Sequence, residues 1–404
     1  MAVPDRGTRG SARPLERSRQ VGRRLGELVP GGAHTYAKGD DQYPEGLAPI
    51  IERGAGSHVW DVDGNDYIEY GSGLRSVTLG HADPRIVAAA LAAMEQGTNF
   101  TRPSRWELEA AEAVVELINS AEMVKFAKNG SDATTAAVRL ARAATGRDGV
   151  AICADQPFFS TDDWFIGSTA MPGGVPDAWR PFTATFRFND LGTLATVFAE
   201  HAHAIACVVL EAATAVEPEP GFLQGVRTLC DRHGALLVFD EMITGFRWHA
   251  KGAEHVYGVR PDLSTFGKAM GNGFAVSALS GRRDVMRLGG IDHEHERVFL
   301  LSTTHGAETH ALAVAMEVMR RYQDEGVAER LTDRGDRLRA GVTAAIGAAG
   351  VQDRFLLLGR SCNLIFGDAR PGRRAIPGVS DPLPPGAPRR RCQRPIVRRI
   401  GRPQ

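Results

Sequence analysis

Two short apolar runs in the middle of the chain each end in a residue capable of chemistry. The first, Ala235-Leu-Leu-Val-Phe-Asp240-Glu241, ends in two carboxylates, and the second, Asp262-Leu-Ser-Thr-Phe-Gly-Lys268, ends in a lysine. An apolar run of this length reads as a buried parallel strand, and open α/β sheets place their ligands at the carboxyl ends of such strands. An acid paired with a lysine able to form a Schiff base suits pyridoxal phosphate, whose ring nitrogen wants an aspartate and whose aldehyde wants an amine. The plainer alternative is a strand-end acid and a surface lysine. The pair alone does not decide between them.

The elements that must position this pair are legible around it. Met123–Ala127 reads as a strand, Asn129-Gly-Ser-Asp-Ala133 as a turn, and Ala133 to Thr145 as a helix stopped by Gly146. Strand, Gly/Ser turn and helix together offer backbone N–H groups and a helix dipole to a phosphate. Further strands are expected at Val150–Cys153 and Ala204–Glu211, with helices at Leu191–His201 and Phe222–His233. This alternation predicts a mostly parallel α/β sheet flanked by helices. Ala275–Gly281 is expected to add a strand in the opposite sense. Upstream, Asp63-Gly64-Asn65 marks a hairpin turn, Asp83-Pro84 starts a helix to about Gln96, and Trp106–Asn119 gives another. Downstream, Ala307–Asp324 and Gly326–Gly347 read as helices, and Gln352–Phe366 as strand material.

Composition narrows the class. The chain has 404 residues, 43% hydrophobic and 24% charged, as a soluble globular protein would. Lys+Arg and Asp+Glu both number 48, so charge supplies no attraction to nucleic acid or to a membrane surface. No apolar run reaches the ~18 residues of a membrane span. The Arg-rich N-terminus lacks the apolar core of a secretory signal, and Asp5 and Glu16 interrupt any transit-peptide pattern. Five scattered cysteines with no Cys-x-x-Cys pair favour a reducing cytoplasm. His293 and His295 alternate as two metal ligands might on a strand, but in a polar run they read as solvated, so no metal is expected.

Taken in order, several stretches resemble the class III aminotransferases, most closely the glutamate-1-semialdehyde 2,1-aminomutase branch. They are Pro30-Gly-Gly32, Trp60-Asp-Val-Asp-Gly-Asn-Asp-Tyr-Ile-Glu-Tyr70, Leu79-Gly-His81-x-x-Pro84, Asn129-Gly-Ser-Asp-Ala133, Arg139-Leu-Ala-Arg142, Asp240-Glu-Met-Ile-Thr-Gly-Phe-Arg247 and Phe266-Gly-Lys268. The resemblance spans roughly residues 25 to 367. It implies the type I pyridoxal-phosphate fold, a large domain with a mostly parallel sheet plus a small α+β domain from both chain ends. The corresponding division is 1–24 disordered or loosely helical, 25–75 small domain, 76–290 large cofactor-binding domain, 291–367 small domain, and 368–404 a tail. It also implies a homodimer with shared active sites, serving a small-molecule amine donor and a carbonyl acceptor.

The resemblance assigns roles as well. Lys268 takes the cofactor aldehyde and moves protons; Asp240 holds the ring nitrogen. Gly130 and Ser131 bind the phosphate, and Thr304 (or Thr303, one residue off) reaches it from the neighbouring subunit. Phe158 stacks on one ring face with Met242 on the other, and Glu211 is a strand-end acid near the site. Arg247 is expected to pair with a carboxylate.

Departures from the family bear on substrate. Its Tyr-His-Gly is here Phe158-Phe159-Ser160, which makes Phe159 a substrate-side candidate, and its Glu-Pro is Glu211-Ala212. The arginine that follows Pro-Gly-Gly is missing, leaving Lys38 or Arg102 to meet a carboxylate. Residues 371–404 carry 9 Arg and 8 Pro against the single acid Asp381 and show no helical or strand period. The tail is therefore expected to be disordered, in place of the family's last small-domain elements. The expected activity is transamination of an aldehyde or ketone. The alternatives are intramolecular transfer giving 5-aminolevulinate, or an inactive paralogue with an incomplete small domain.

Overall fold

A computed structural model describes residues 14–368 except 44, 45, 157, 202, 361 and 362. The expectations for residues 1–12 and for the Arg/Pro-rich tail beyond 368 fall outside the described residues, as do Cys362 and Cys392. Cys153, Cys207 and Cys230 are free and buried.

After the helix Glu16–Leu28, β1 (Ile51–Ala55), β2 (His58–Asp61) and β3 (Asp66–Ile68) form an antiparallel sheet. The turn at Asp63-Gly64-Asn65 joins β2 to β3 as its sequence indicates. Asp61 organises that turn: its carboxylate accepts from Asp63 N, Asn65 N and Tyr67 Oη. β1 is an addition to the sequence reading. Its five residues, Ile-Glu-Arg-Gly-Ala, are mostly exposed, so no apolar alternation announces them.

The central sheet has seven strands. They are β4 (Met123–Ala127), β5 (Gly149–Cys153), β6 (Thr183–Phe186), β7 (Ile205–Leu210), β8 (Leu236–Asp240), β9 (Leu263–Phe266) and β10 (Ser277–Gly281). Their spatial order is β4-β10-β9-β8-β7-β5-β6, and only β10 runs antiparallel to its neighbours. β5 and β7 are buried at every position, which explains their unbroken apolar sequence. β6 was not expected. Four residues with two threonines beside Pro181 carry too little pattern, and pairing with β5 is what makes them a strand.

Helices cover both faces. Gly130–Thr145, three residues longer at its start than the sequence suggests, opens with a capping box between Asn129 and Asp132 and closes at Gly146 with φ of 65°. Its alanine-rich face packs with Val150, Val209, Val238 and Leu279 from the sheet. On the other side, Pro84–Met94, Arg105–Leu117 and Thr309–Glu325 enclose a second core around Val114, Phe266, Leu312 and Tyr322. Asp83 caps the first of these, accepting from Arg85 N and Ile86 N. Val327–Ala348 then leads to β11 (Phe355–Arg360) and β12 (Asn363–Asp368), an antiparallel pair.

Candidate active site

The topology places three of the expected residues at the same end of three adjacent strands. Glu211 follows β7, Asp240 ends β8, and Lys268 follows β9 by one glycine. Register makes Asp240 the partner of Thr265, so the acid and the lysine-bearing turn are neighbours through backbone pairing.

Each of the three is buried, and burial sets its charge. Asp240 Oδ1 accepts from Met242 N at 2.9 Å and Thr265 Oγ1 at 3.4 Å. Oδ2 takes no hydrogen bond from any described residue and is free to meet a donor. Burial pushes the Asp240 carboxyl up to about 6, against the opposing pull of the Lys268 charge and these two donors. Burial likewise lowers Lys268, opposed by Asp240 and Glu211, so its free amine is accessible below the ordinary lysine range. Glu211 is raised to about 8 by burial and by the Asp240 charge. Its backbone is fixed by Gln156, which accepts from Glu211 N at 2.8 Å and donates to its carbonyl at 2.6 Å.

Lys268 has φ of 45°, a left-handed conformation that side-chain-bearing residues rarely adopt. Such strain concentrates where the surroundings hold a functional residue in place. The preceding Gly267 is needed for space, because a Cβ there would lie 2.7 Å from Met242 Sδ. Gly130 faces the same sulfur, at 3.1 Å from a Cβ built on it. Met242 thus sits between the lysine turn and the start of the helix Gly130–Thr145. At that start, Ser131 Oγ accepts from Thr161 N at 3.1 Å, which leaves its hydrogen available to a ligand.

The remaining candidates are distributed as follows. Phe158 is 49% exposed and meets Phe165 edge-on at 5.6 Å between ring centres. Phe159 is 2% exposed, packed against Phe165, with its carbonyl held by Thr134 Oγ1 at 2.6 Å. Within this chain Phe159, the substrate-side candidate, is a core residue, turned inward as Phe158 turns outward. Thr303 and Thr304 lie on an exposed loop, where Thr304 O accepts from Asn99 Nδ2 at 3.0 Å. Lys38 lines a cavity of about 750 Å³ together with Ala37, Tyr43, Glu69, Gly73 and His81, and Lys268 does not line it. Arg102 is exposed on the segment before Arg105–Leu117. Neither cation is brought to Lys268 by a described contact. Arg247 is buried and donates to the carbonyls of Met242 and Ile243. His293 and His295 stack at 6.1 Å, and no third metal-ligating group joins them among the described residues.

Three residues escaped the sequence reading. Thr265 on β9 and Gln156, just past the end of β5, hold Asp240 and Glu211, and a lone Thr or Gln gives no signal of that. Arg75 bears on both Glu211 and Lys268 through its charge. Only the Gly71-Ser72-Gly73 cluster beside it hinted at an unusual turn.

A profile described as aminotransferase class-III matches residues 40–351. The chain belongs to the class-III aminotransferase family. Among curated relatives, the glutamate-1-semialdehyde 2,1-aminomutase of Syntrophobacter fumaroxidans is 36% identical over 351 residues, 83% of this chain and 79% of the relative. Among solved structures, an omega-transaminase from Sphaerobacter thermophilus superposes with a TM-score of 0.78 at 26% identity, covering 91% of this chain and 85% of that one. The FumI protein of Sphingopyxis sp. MTA144, solved with pyridoxal phosphate in internal aldimine form, gives 0.78 at 30% identity over 87% and 84%. This class-III chain therefore has the type I fold and the family's activity, amino-group transfer with pyridoxal phosphate. Its residues fit that cofactor: a buried lysine, an aspartate with an open oxygen, and a helix start with unclaimed N–H groups.

Proposed function

We propose that this chain is a transaminase that moves an amino group between a separate amine donor and an aldehyde or ketone acceptor. The observation that carries the proposal is the convergence of Glu211, Asp240 and Lys268 at the carboxyl ends of β7, β8 and β9. Pyridoxal phosphate, when bound, supplies an aldehyde for amine capture and a ring that takes up the electron pair of the broken Cα–H bond.

The chain's own residues do the rest. Asp240 Oδ2 accepts the ring N–H and keeps the proton there. Lys268 Nζ, whose pKa burial lowers, would take the proton from substrate Cα and deliver it to the cofactor carbon that carries the amino nitrogen. The N–H groups of Gly130 and Ser131 and the Ser131 hydroxyl hold the phosphate, aided by the dipole of a 16-residue helix. Phe158 offers an exposed aromatic face to the ring, and Met242 fills the space opposite. Glu211, neutral when protonated, borders the site without repelling an anionic substrate.

Further parts of the reading concern assembly. Thr304, on its exposed loop, reaches the phosphate of a second copy in a homodimer. Exposed Ile291 and Phe299 on the same stretch support such an interface. Residues 25–75 and 291–367 form the small domain around 76–290, in keeping with their separate two- and three-stranded sheets. The site of action is the cytoplasm.

A second reading, intramolecular transfer, is favoured by the 36% identity to an aminomutase. Cofactor-loaded protein separates the two. A transaminase consumes an added amine donor and then aminates an added aldehyde, whereas a mutase isomerises one substrate with no donor. Lys268→Ala is expected to lower turnover by at least about 10²–10⁴-fold, the usual contribution of a positioned proton carrier, and to change the cofactor's visible absorbance. Unchanged absorbance and turnover in that variant would sink the assignment of Lys268.

A further inference from the structure

The segment Tyr70–Gly80 has a backbone that its sequence does not ask for. Ser72, Gly73, Leu74 and Arg75 have φ of 44, 58, 57 and 66°, four left-handed residues in succession. Three of them carry side chains, and each such residue costs about 1–2 kcal/mol relative to the right-handed form. A run of this kind persists only where neighbours impose it.

The neighbours are on both sides. Glu69 accepts from Gly73 N at 3.0 and 3.1 Å, and its carboxylate is held in turn by His81 Nε2 at 2.5 Å. Arg75 N bonds Gly71 O at 2.8 Å, and Ser76 Oγ bonds Gly73 O at 2.6 Å. Asn272, four residues past Lys268, accepts from Leu79 N at 2.9 Å and donates to Gly80 O at 3.2 Å. Asn272 is itself left-handed, with φ of 40°. The strained turn is thereby fastened to the turn that carries the lysine.

What the strain presents is Arg75. Its side chain is exposed, and among the described residues it makes no hydrogen bond or ion pair. Its charge nevertheless reaches Lys268 and Glu211. Arg247, the other arginine felt at both, is buried and committed to two backbone carbonyls. The cofactor phosphate has its own donors at Gly130 and Ser131. An exposed guanidinium, on a segment bonded through Asn272 to the turn that carries the reacting amine and without a hydrogen bond or ion pair among the described residues, matches a carboxylate, which it can hold through two parallel hydrogen bonds.

We infer that Arg75, held out by the left-handed turn Ser72–Arg75, is the specificity-determining residue that binds a carboxylate on the substrate of the Lys268 site. This deepens, and rests on, the amino-transfer reading above. Substrates are then amino and oxo acids, and Lys38 and Arg102 are not needed for their recognition.

The test uses cofactor-loaded wild type, Arg75→Met and Arg75→Lys, with propionate as the probe and propionamide as its uncharged control. Propionate is expected to raise the melting temperature of the wild type, and propionamide to do so much less. Arg75→Met should weaken propionate binding by about 10- to 100-fold, the usual loss of a hydrogen bond to a charged group. Arg75→Lys should recover only part of it, since an ammonium lacks the fork. Absence of a propionate effect on the wild type, or an equal effect on Arg75→Met, overturns the inference.

Half-reactions with L-alanine and with 2-phenylethylamine, read by cofactor absorbance, separate this from the underlying reading. Selective loss of the L-alanine reaction in Arg75→Met supports the role. An equal loss with both amines and a lowered melting temperature without ligand would make Arg75 structural and overturn it. If wild type reacts with carboxylate-free amines only, the carboxylate role falls while amino transfer stands. If no amine of either kind changes the absorbance, amino transfer itself falls.

Discussion

Asp240 and Glu241 are adjacent in the chain and serve different partners. Asp240 keeps one oxygen open beside Lys268, whereas Glu241 is consumed by structure. Glu241 accepts from Thr244 Oγ1, from Ala253 N at 2.8 and 3.0 Å, and from Glu254 N at 3.2 Å, closing the loop that follows β8. Asp240→Asn keeps the shape but loses the charge, and is expected to slow single-turnover amino transfer by about 10²–10³-fold, as when one preorganised electrostatic partner is removed. Glu241→Gln should instead leave the rate within a few-fold and lower the melting temperature, by about 1 °C per kcal/mol for a chain of this length. Stopped-flow absorbance and calorimetry on the two variants check the contrast. Glu211 adds a pH dependence. Its folded carboxyl holds a proton up to about 8 against an ordinary value of 4.5, so between these limits the folded state binds more protons than the unfolded one. Its contribution to stability is thus complete below about 4.5 and is lost as pH rises through 8. In cofactor-free protein, Glu211→Gln should flatten the fall in melting temperature between those limits. A slope identical to the wild type's would show that Glu211 is not the titrating group.

At the scale of elements, β10 does most to align the site. It is the one reversed strand of the seven-stranded sheet, and it joins β4, which leads to the phosphate-type helix start, to β9, which leads to Lys268. Ser277 Oγ, at its beginning, donates to Asn129 O at 2.7 Å and so ties the strand to that helix cap. Close approach of β9 and β10 depends on Gly281, where a Cβ would lie 2.4 Å from Asp262 O and 2.7 Å from Leu263 Cδ2. The first of these is backbone and cannot swing aside. Gly281→Ala is therefore expected to destabilise the protein by about 1–3 kcal/mol, the range for overpacking a filled core. Denaturant unfolding measures this directly, and a midpoint equal to wild type would mean the strands can separate without penalty.

For the whole molecule, cofactor and fold are linked. A ligand bound only by the folded state stabilises it by mass action, by about 2.7 kcal/mol at a concentration one hundred times its dissociation constant. Removing pyridoxal phosphate should lower the melting temperature, and adding it back should restore it in a concentration-dependent way. Lys268→Ala should shrink that shift by losing the covalent attachment. Equal melting temperatures for loaded and stripped protein would argue against a cofactor held by the residues named here.

The placement of Asp240, Lys268 and Gly130 was legible in one dimension because it follows from position along single elements. Asp240 and Lys268 close apolar strands, and Gly130 opens a helix behind a capping asparagine. Period and capping chemistry report such local facts, and the ordered family motifs joined them. The alternation of strands and helices likewise announced the parallel sheet and even the reversed β10. What lay beyond the sequence was whatever depends on packing between distant segments. β6 is a strand because β5 lies beside it. Phe158 and Phe159 are identical residues, and only the tertiary structure turns one outward and buries the other. Arg75 is the sharpest case. Its place on a turn fastened to the Lys268 turn depends on bonds from Glu69, His81 and Asn272, the last of them nearly two hundred residues downstream of it. A chain read residue by residue assigns Arg75 to an ordinary exposed turn, because the bonds that hold it out are made only once the sheet has brought those segments together.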